Sequence, residues 1–160
     1  MNLIPLFNAS PIIQLHVIAA ILGLLLGAYV LFRPKGTRLH KVLGRVWVAA
    51  AAVTALSSFF IWEIRLVGLF RPIHLLSVLT LVSLVVGVRA AMQGRIRAHE
   101  RYMKSLYVTA FVITGAFTLL PGRMMNEVLA TPVMRDLSIA GFILAAAALV
   151  IRWIWRSQPA

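Results

Sequence analysis

Residues 11–32 read PIIQLHVIAAILGLLLGAYVLF and contain no aspartate, glutamate, lysine or arginine. The run exceeds the ~20 residues that a helix needs to cross the hydrocarbon of a bilayer. Its first residue, Pro11, suits a first helical turn, where a missing N–H costs nothing. His16, Ala20, Gly23 and Gly27 recur at helical spacing, so one face carries a histidine followed by small residues. Gly23 and Gly27 stand at the spacing that lets membrane helices approach closely. The same thin face would admit a flat cofactor, and both uses stay open here.

The rest of the chain has the same character. Of 160 residues, 61% are hydrophobic and 12% charged, against about 25% charged in a soluble domain. A water-soluble core cannot absorb that much apolar sequence, so the bilayer is the expected solvent. Cysteine is absent, which excludes disulfides, thiolate metal sites and the cysteine attachment of c-type haem. The net charge of +12 is concentrated in short loops between apolar runs. That distribution follows the positive-inside rule and argues against a nucleic-acid partner. Residues 1–10 lack lysine and arginine, unlike a signal peptide, and read as a retained apolar leader at the interface.

Four further spans follow, at about 38–62, 72–91, 98–120 and 137–155. Thr37 is placed to cap the second. Pro72 opens the third, and Pro121-Gly122 stops the fourth. The segment 123–136 reads as a loop, and Arg152, Trp153, Trp155 and Arg156 as an interfacial anchor. The expected fold is an all-α integral membrane domain over 1–160. Two tandem helical hairpins form a four-helix bundle, and a fifth helix follows.

Twelve basic residues fall on one side: Arg33, Lys35, Arg38, Lys41, Arg45, Arg89, Arg95, Arg97, Arg101, Lys104, Arg152 and Arg156. Four fall on the other: Arg65, Arg71, Arg123 and Arg135. This asymmetry predicts an outside N-terminus and a cytoplasmic C-terminus in a bacterial inner membrane.

The topology sorts the only four histidines, each near the start of one of the first four helices. His16 and His74 belong to the outer side, and His40 and His99 to the cytoplasmic side. A pseudo-two-fold axis along the membrane normal would set the members of each pair face to face. Two imidazoles at one depth suit the axial positions of a haem b between helices. Ala20 and Gly23 below His16, and Gly44 below His40, would let the macrocycle reach the backbone. Arg38, Lys41, Arg97 and Arg101 are placed to pair with haem propionates. From His16 to Phe32 a helix rises roughly 24 Å at ~1.5 Å per residue, so two such sites would lie near opposite faces. Zinc and non-haem metals ordinarily take three or four protein ligands. The chain has only four acidic residues, Glu63, Glu100, Glu127 and Asp136, all at helix ends or in loops.

The segments KGTRLHKVLGR (35–45), PIHLLS (72–77), RAHER (97–101) and LPGR (120–123) resemble a family of bacterial predicted membrane proteins, domain of unknown function 2306. That resemblance implies a membrane protein and no assigned activity. The four-histidine plan also resembles the ascorbate-linked two-haem b-type cytochromes. This second likeness implies ligand roles for His16, His74, His40 and His99, and it gives no basis for ascorbate as donor.

The leading expectation is a transmembrane b-type cytochrome with two bis-histidine haems. Its electron donor and acceptor would be a quinone or a redox protein, and a homo-oligomer or larger membrane complex is compatible with it. The rivals are a cofactor-free interaction or assembly subunit, and a quinone- or lipid-linked enzyme acting near Arg123 and Glu127.

Overall fold

The computed structural model describes residues 3–61, 72–119 and 123–129, and every regular element among them is helical. The elements are α1 (Ile4–Phe7), α2 (Pro11–Leu31), α3 (Arg38–Ser58), α4 (Pro72–Met92) and α5 (Ile96–Leu106). The chain then passes through a π-helical segment, Tyr107–Ile113, into α6 (Thr114–Thr118), and α7 (Met124–Leu129) follows.

Among the described residues, three helices are long and apolar enough to cross a membrane: Pro11–Leu31, Arg38–Ser58 and His74–Met92. α2 and α4 match the expected spans closely. α3 ends at Ser58, before the expected Trp62, which lies outside the described residues. The expected fourth span does not form one uninterrupted α-helix, because the π-helical segment divides it. The second loop (63–71) and the fifth span (137–155) lie outside the described residues. The expected loop at 123–136 contains α7, and the leader contains α1.

Residues 10–111 cluster as one compact unit. Within it α2 packs on α3, α3 on α4, and α4 on α5. The turns after α2 and α4 each contain a glycine at positive φ, Gly36 at 85° and Gly94 at 72°, a conformation that costs other residues a steric penalty. Burial is inverted relative to a soluble bundle. α2 buries Ala19, Gly23, Gly27 and Val30, and it exposes Leu15, Ile18, Ile21, Leu22 and Leu25. α4 buries Ser77, Thr80, Leu84, Gly87 and Ala90 while exposing Leu75, Val78, Leu79, Val82 and Val85. Small and hydroxylic residues inside, with large apolar residues outside, match helices solvated by lipid and packed by close backbone approach.

A second unit comprises residues 1–9 and 112–160. Among its described residues, α7 packs on α1 and α6. The buried Asn126 amide donates to the Leu119 carbonyl at 2.8 Å, and the Arg123 guanidinium lies over the Phe117 ring.

Candidate functional site

The histidines occupy opposite ends of the 10–111 unit, in a basic layer that holds His40 and His99 and a polar layer that holds His16 and His74. In the basic layer, Thr37 Oγ1 accepts from the His40 backbone N–H at 3.1 Å and fixes the first turn of α3. His99 stands in the first turn of α5. The two rings face each other with centroids 6.5 Å apart and planes at 86°. His99 Nδ1 lies 2.9 Å from the Gly87 carbonyl. A carbonyl only accepts, so Nδ1 carries the proton and Nε2 keeps its lone pair. That is the arrangement by which a backbone carbonyl holds a metal-ligating histidine. His40 Nδ1 is buried without a hydrogen-bond partner. Leaving such an atom unsatisfied costs about 1–3 kcal/mol.

Charge surrounds this pair. Glu100 is clamped between Lys35 at 3.1 Å and Lys104 at 3.0 Å, which ties the loop after α2 to α5. Its carboxylate is therefore occupied by lysines. Arg38, Lys41, Arg97 and Arg101 are all exposed. A cavity of about 220 Å³ opens beside His40, between Val30, Arg33, Thr37 and Leu43. Gly44, one turn further along α3, has open space where a side chain would stand.

The polar layer is built differently. His16 Nδ1 lies 2.9 Å from Ser57 Oγ, and that hydroxyl lies 2.7 Å from the Val53 carbonyl. Ser57 has one proton and gives it to the carbonyl, so His16 Nδ1 donates and its Nε2 keeps the lone pair. His74 stacks on Phe59 at 5.5 Å and 23°, and its Nε2 is buried without a partner. Ser58 Oγ and Ser77 Oγ are 2.5 Å apart. The end of α3 thus touches both histidines. The described contacts bring His40 and His99 together as a ring pair; they join His16 and His74 only through α3. Among the described residues no three histidine, aspartate or glutamate side chains converge as a metal cluster.

Between the layers lies an apolar core of Trp47, Ala51, Leu84, Met103, Leu106 and Phe111. Trp47 is 3% exposed, and its indole N–H donates to the Gly23 carbonyl at 2.8 Å. The space beside Gly23 is filled by the Phe111 ring, and that beside Gly27 by Trp47 and Tyr107. The small face of α2 therefore receives aromatic side chains.

A family model described as predicted membrane protein (DUF2306) matches residues 13–156. The chain belongs to the DUF2306 family. All four histidines of this DUF2306 protein fall within the matched stretch. No curated protein and no solved structure matches the chain. Sequence reasoning missed two residues of this DUF2306 site. Ser57 is one of many helical serines, and its bond to His16 crosses 41 positions. Trp47 reads as an ordinary apolar residue, and only its distance from both interfaces marks it as core rather than anchor.

Proposed function

We propose that this membrane protein is a b-type cytochrome that carries electrons between the two faces of the bilayer through two bis-histidine haems. His40 and His99 would hold one haem, and His16 and His74 the other. The observation that carries the reading is the His40–His99 geometry. Two imidazoles on either side of one first-row metal, with bonds of about 2.0 Å, place their ring centroids roughly 6 Å apart. The observed separation is 6.5 Å. A near-perpendicular pair is compatible with this, since each ring turns freely about its metal bond.

A haem supplies one-electron iron chemistry and four equatorial nitrogens, so two protein ligands suffice. The chain supplies the rest. Gly87 and Ser57 hold His99 and His16 by their Nδ1–H groups, which leaves the lone pairs on Nε2. The open space at Gly44 gives a macrocycle room against α3. Arg38, Lys41, Arg97 and Arg101 remain exposed near the inner pair to meet propionates. The outer layer supports the reading less directly, through the unpartnered His74 Nε2. The basic asymmetry supports a cytoplasmic location for the His40–His99 layer and an outside N-terminus in a bacterial inner membrane. A quinone or a redox protein would exchange electrons at each face.

The direct test is an optical spectrum of detergent-purified protein expressed with ample haem, oxidised and then reduced with dithionite. Sharp reduced α and Soret bands with about two haems per chain are expected. One haem would restrict the function to the inner layer. No haem would overturn the reading in favour of a cofactor-free subunit. A second expectation concerns Gly44. Gly44→Leu places a side chain in open space, so the protein should fold normally yet lose the inner haem. Full haem content in that variant would show that the macrocycle does not lie over Gly44.

A further inference from the structure

The two histidine layers are far apart. Along α3, His40 and Ser57 are separated by roughly 25 Å at ~1.5 Å per residue. What fills the interval is specific. Trp47 and Phe111 have centroids 6.0 Å apart, and Phe111 and Tyr107 6.2 Å apart with planes at 26°. Trp47 and Phe111 are buried, at 3% and 4% exposure. Trp47 stands about 10 Å along α3 from the level of His40 and about 15 Å from that of Ser57, at ~1.5 Å per residue.

Three devices keep these rings in place. The Gly23 carbonyl accepts the Trp47 N–H at 2.8 Å, and the Leu24 carbonyl accepts the Tyr107 O–H at 3.1 Å. Gly23 and Gly27 leave the room that the rings occupy. Tyr107 and Phe111 both lie in the π-helical segment, whose wider turn stacks positions four apart more directly than an α-helix does. Packing alone would be met by leucines, as elsewhere on these helices. Hydrogen bonds to helix carbonyls, glycine clearance and a π-helical register together hold three aromatic rings in one continuous contact.

We infer that Trp47, Phe111 and Tyr107 form the bridge along which an electron passes between the two histidine layers. The inference rests on the cytochrome reading. One electron moves per event; the iron of one layer is oxidised and that of the other reduced, and no proton or bond changes. The bridge residues are positioning residues, since they act by filling the interval with closely packed π-systems. Phe111 is the central ring. Its replacement by leucine keeps apolar volume and removes the π-contact to both neighbours.

The test uses the full-length, haem-loaded protein in sealed vesicles, with an impermeant reductant outside and ferricyanide inside. Phe111→Leu and Trp47→Leu should slow the crossing several-fold while haem content, reduced spectra and both midpoint potentials stay as in the wild type. Trp47→Phe, which keeps a ring, should restore most of the rate. Tyr107→Phe keeps the ring but loses the bond to the Leu24 carbonyl that positions it, and should slow the crossing by less than Phe111→Leu does. Near-UV circular dichroism of the haem-free protein gives an independent readout. Phe111→Leu should abolish the signal of the coupled rings without changing the helical content. Wild-type crossing rates in Phe111→Leu with both haems bound would overturn the bridge and leave the cytochrome reading intact. A wild-type protein without haem would overturn both.

Discussion

Replacing His99 with alanine should remove one haem and spare the other. The same haem should disappear in His40→Ala, because the two rings face each other across 6.5 Å and a six-coordinate iron needs both axial nitrogens. On the proposed assignment of both members to one site, haem content should fall from about two to about one per chain in each single variant and fall no further in the double variant. The remaining haem should keep its own potential in a redox titration, because the outer histidines contact neither residue. Gly87 stays fixed in α4 whether or not His99 is present, so the helix pairing should survive the change. The bridge of Lys35, Glu100 and Lys104 should survive as well. A His99→Ala protein that retains both haems would remove the inner pair from the site.

The second large effect concerns folding and requires no cofactor. Gly27→Leu should prevent assembly of the bundle. A side chain added at Gly27 meets the Trp47 indole and the Tyr107 ring at once. Neither can withdraw without breaking its bond to the Gly23 or Leu24 carbonyl. Overpacking a filled core commonly costs about 1–3 kcal/mol, and here the loss of two buried hydrogen bonds adds about 1–3 kcal/mol for each group left unsatisfied. Size-exclusion chromatography in mild detergent should show aggregated or absent protein. Gly44→Ala is the control, since nothing stands near that position. A monodisperse Gly27→Leu protein with wild-type melting behaviour would show that the aromatic core is not fixed against α2.

The helices and the inner pair were legible because their signals are local. Pro11 and Pro72 mark helix starts, Thr37 caps α3, and Gly36 and Gly94 mark the turns. Short turns force neighbouring helices to run antiparallel, and antiparallel helices bring His40 and His99 to the same end. The small residues Ala51, Ala55, Ser58 and Ser77 are buried. What stayed illegible depends on partners distant in the chain. Nothing near Tyr107 announces a π-helical segment, because its reward comes from Gly23 and Gly27 on α2. The role of Ser57 depends on His16, and the Phe59–His74 stack on how α3 ends beside α4. The α7 helix lies in a stretch too short to show a period. The identity of the family came from residues 13–156 taken together.

The polar layer draws its described residues from α2, α3 and α4: His16, Ser57, Ser58, Phe59, His74 and Ser77. The inner pair cannot close until α5 delivers His99. Because a chain is synthesised from its N-terminus, the two ends of the molecule are completed in a fixed order. A nascent chain that has released α4 already contains every residue of the described contacts of the polar layer and lacks the His99 of the His40–His99 pair. A truncation after Met92 would capture that stage, with one half of the molecule built and the other waiting for its last helix.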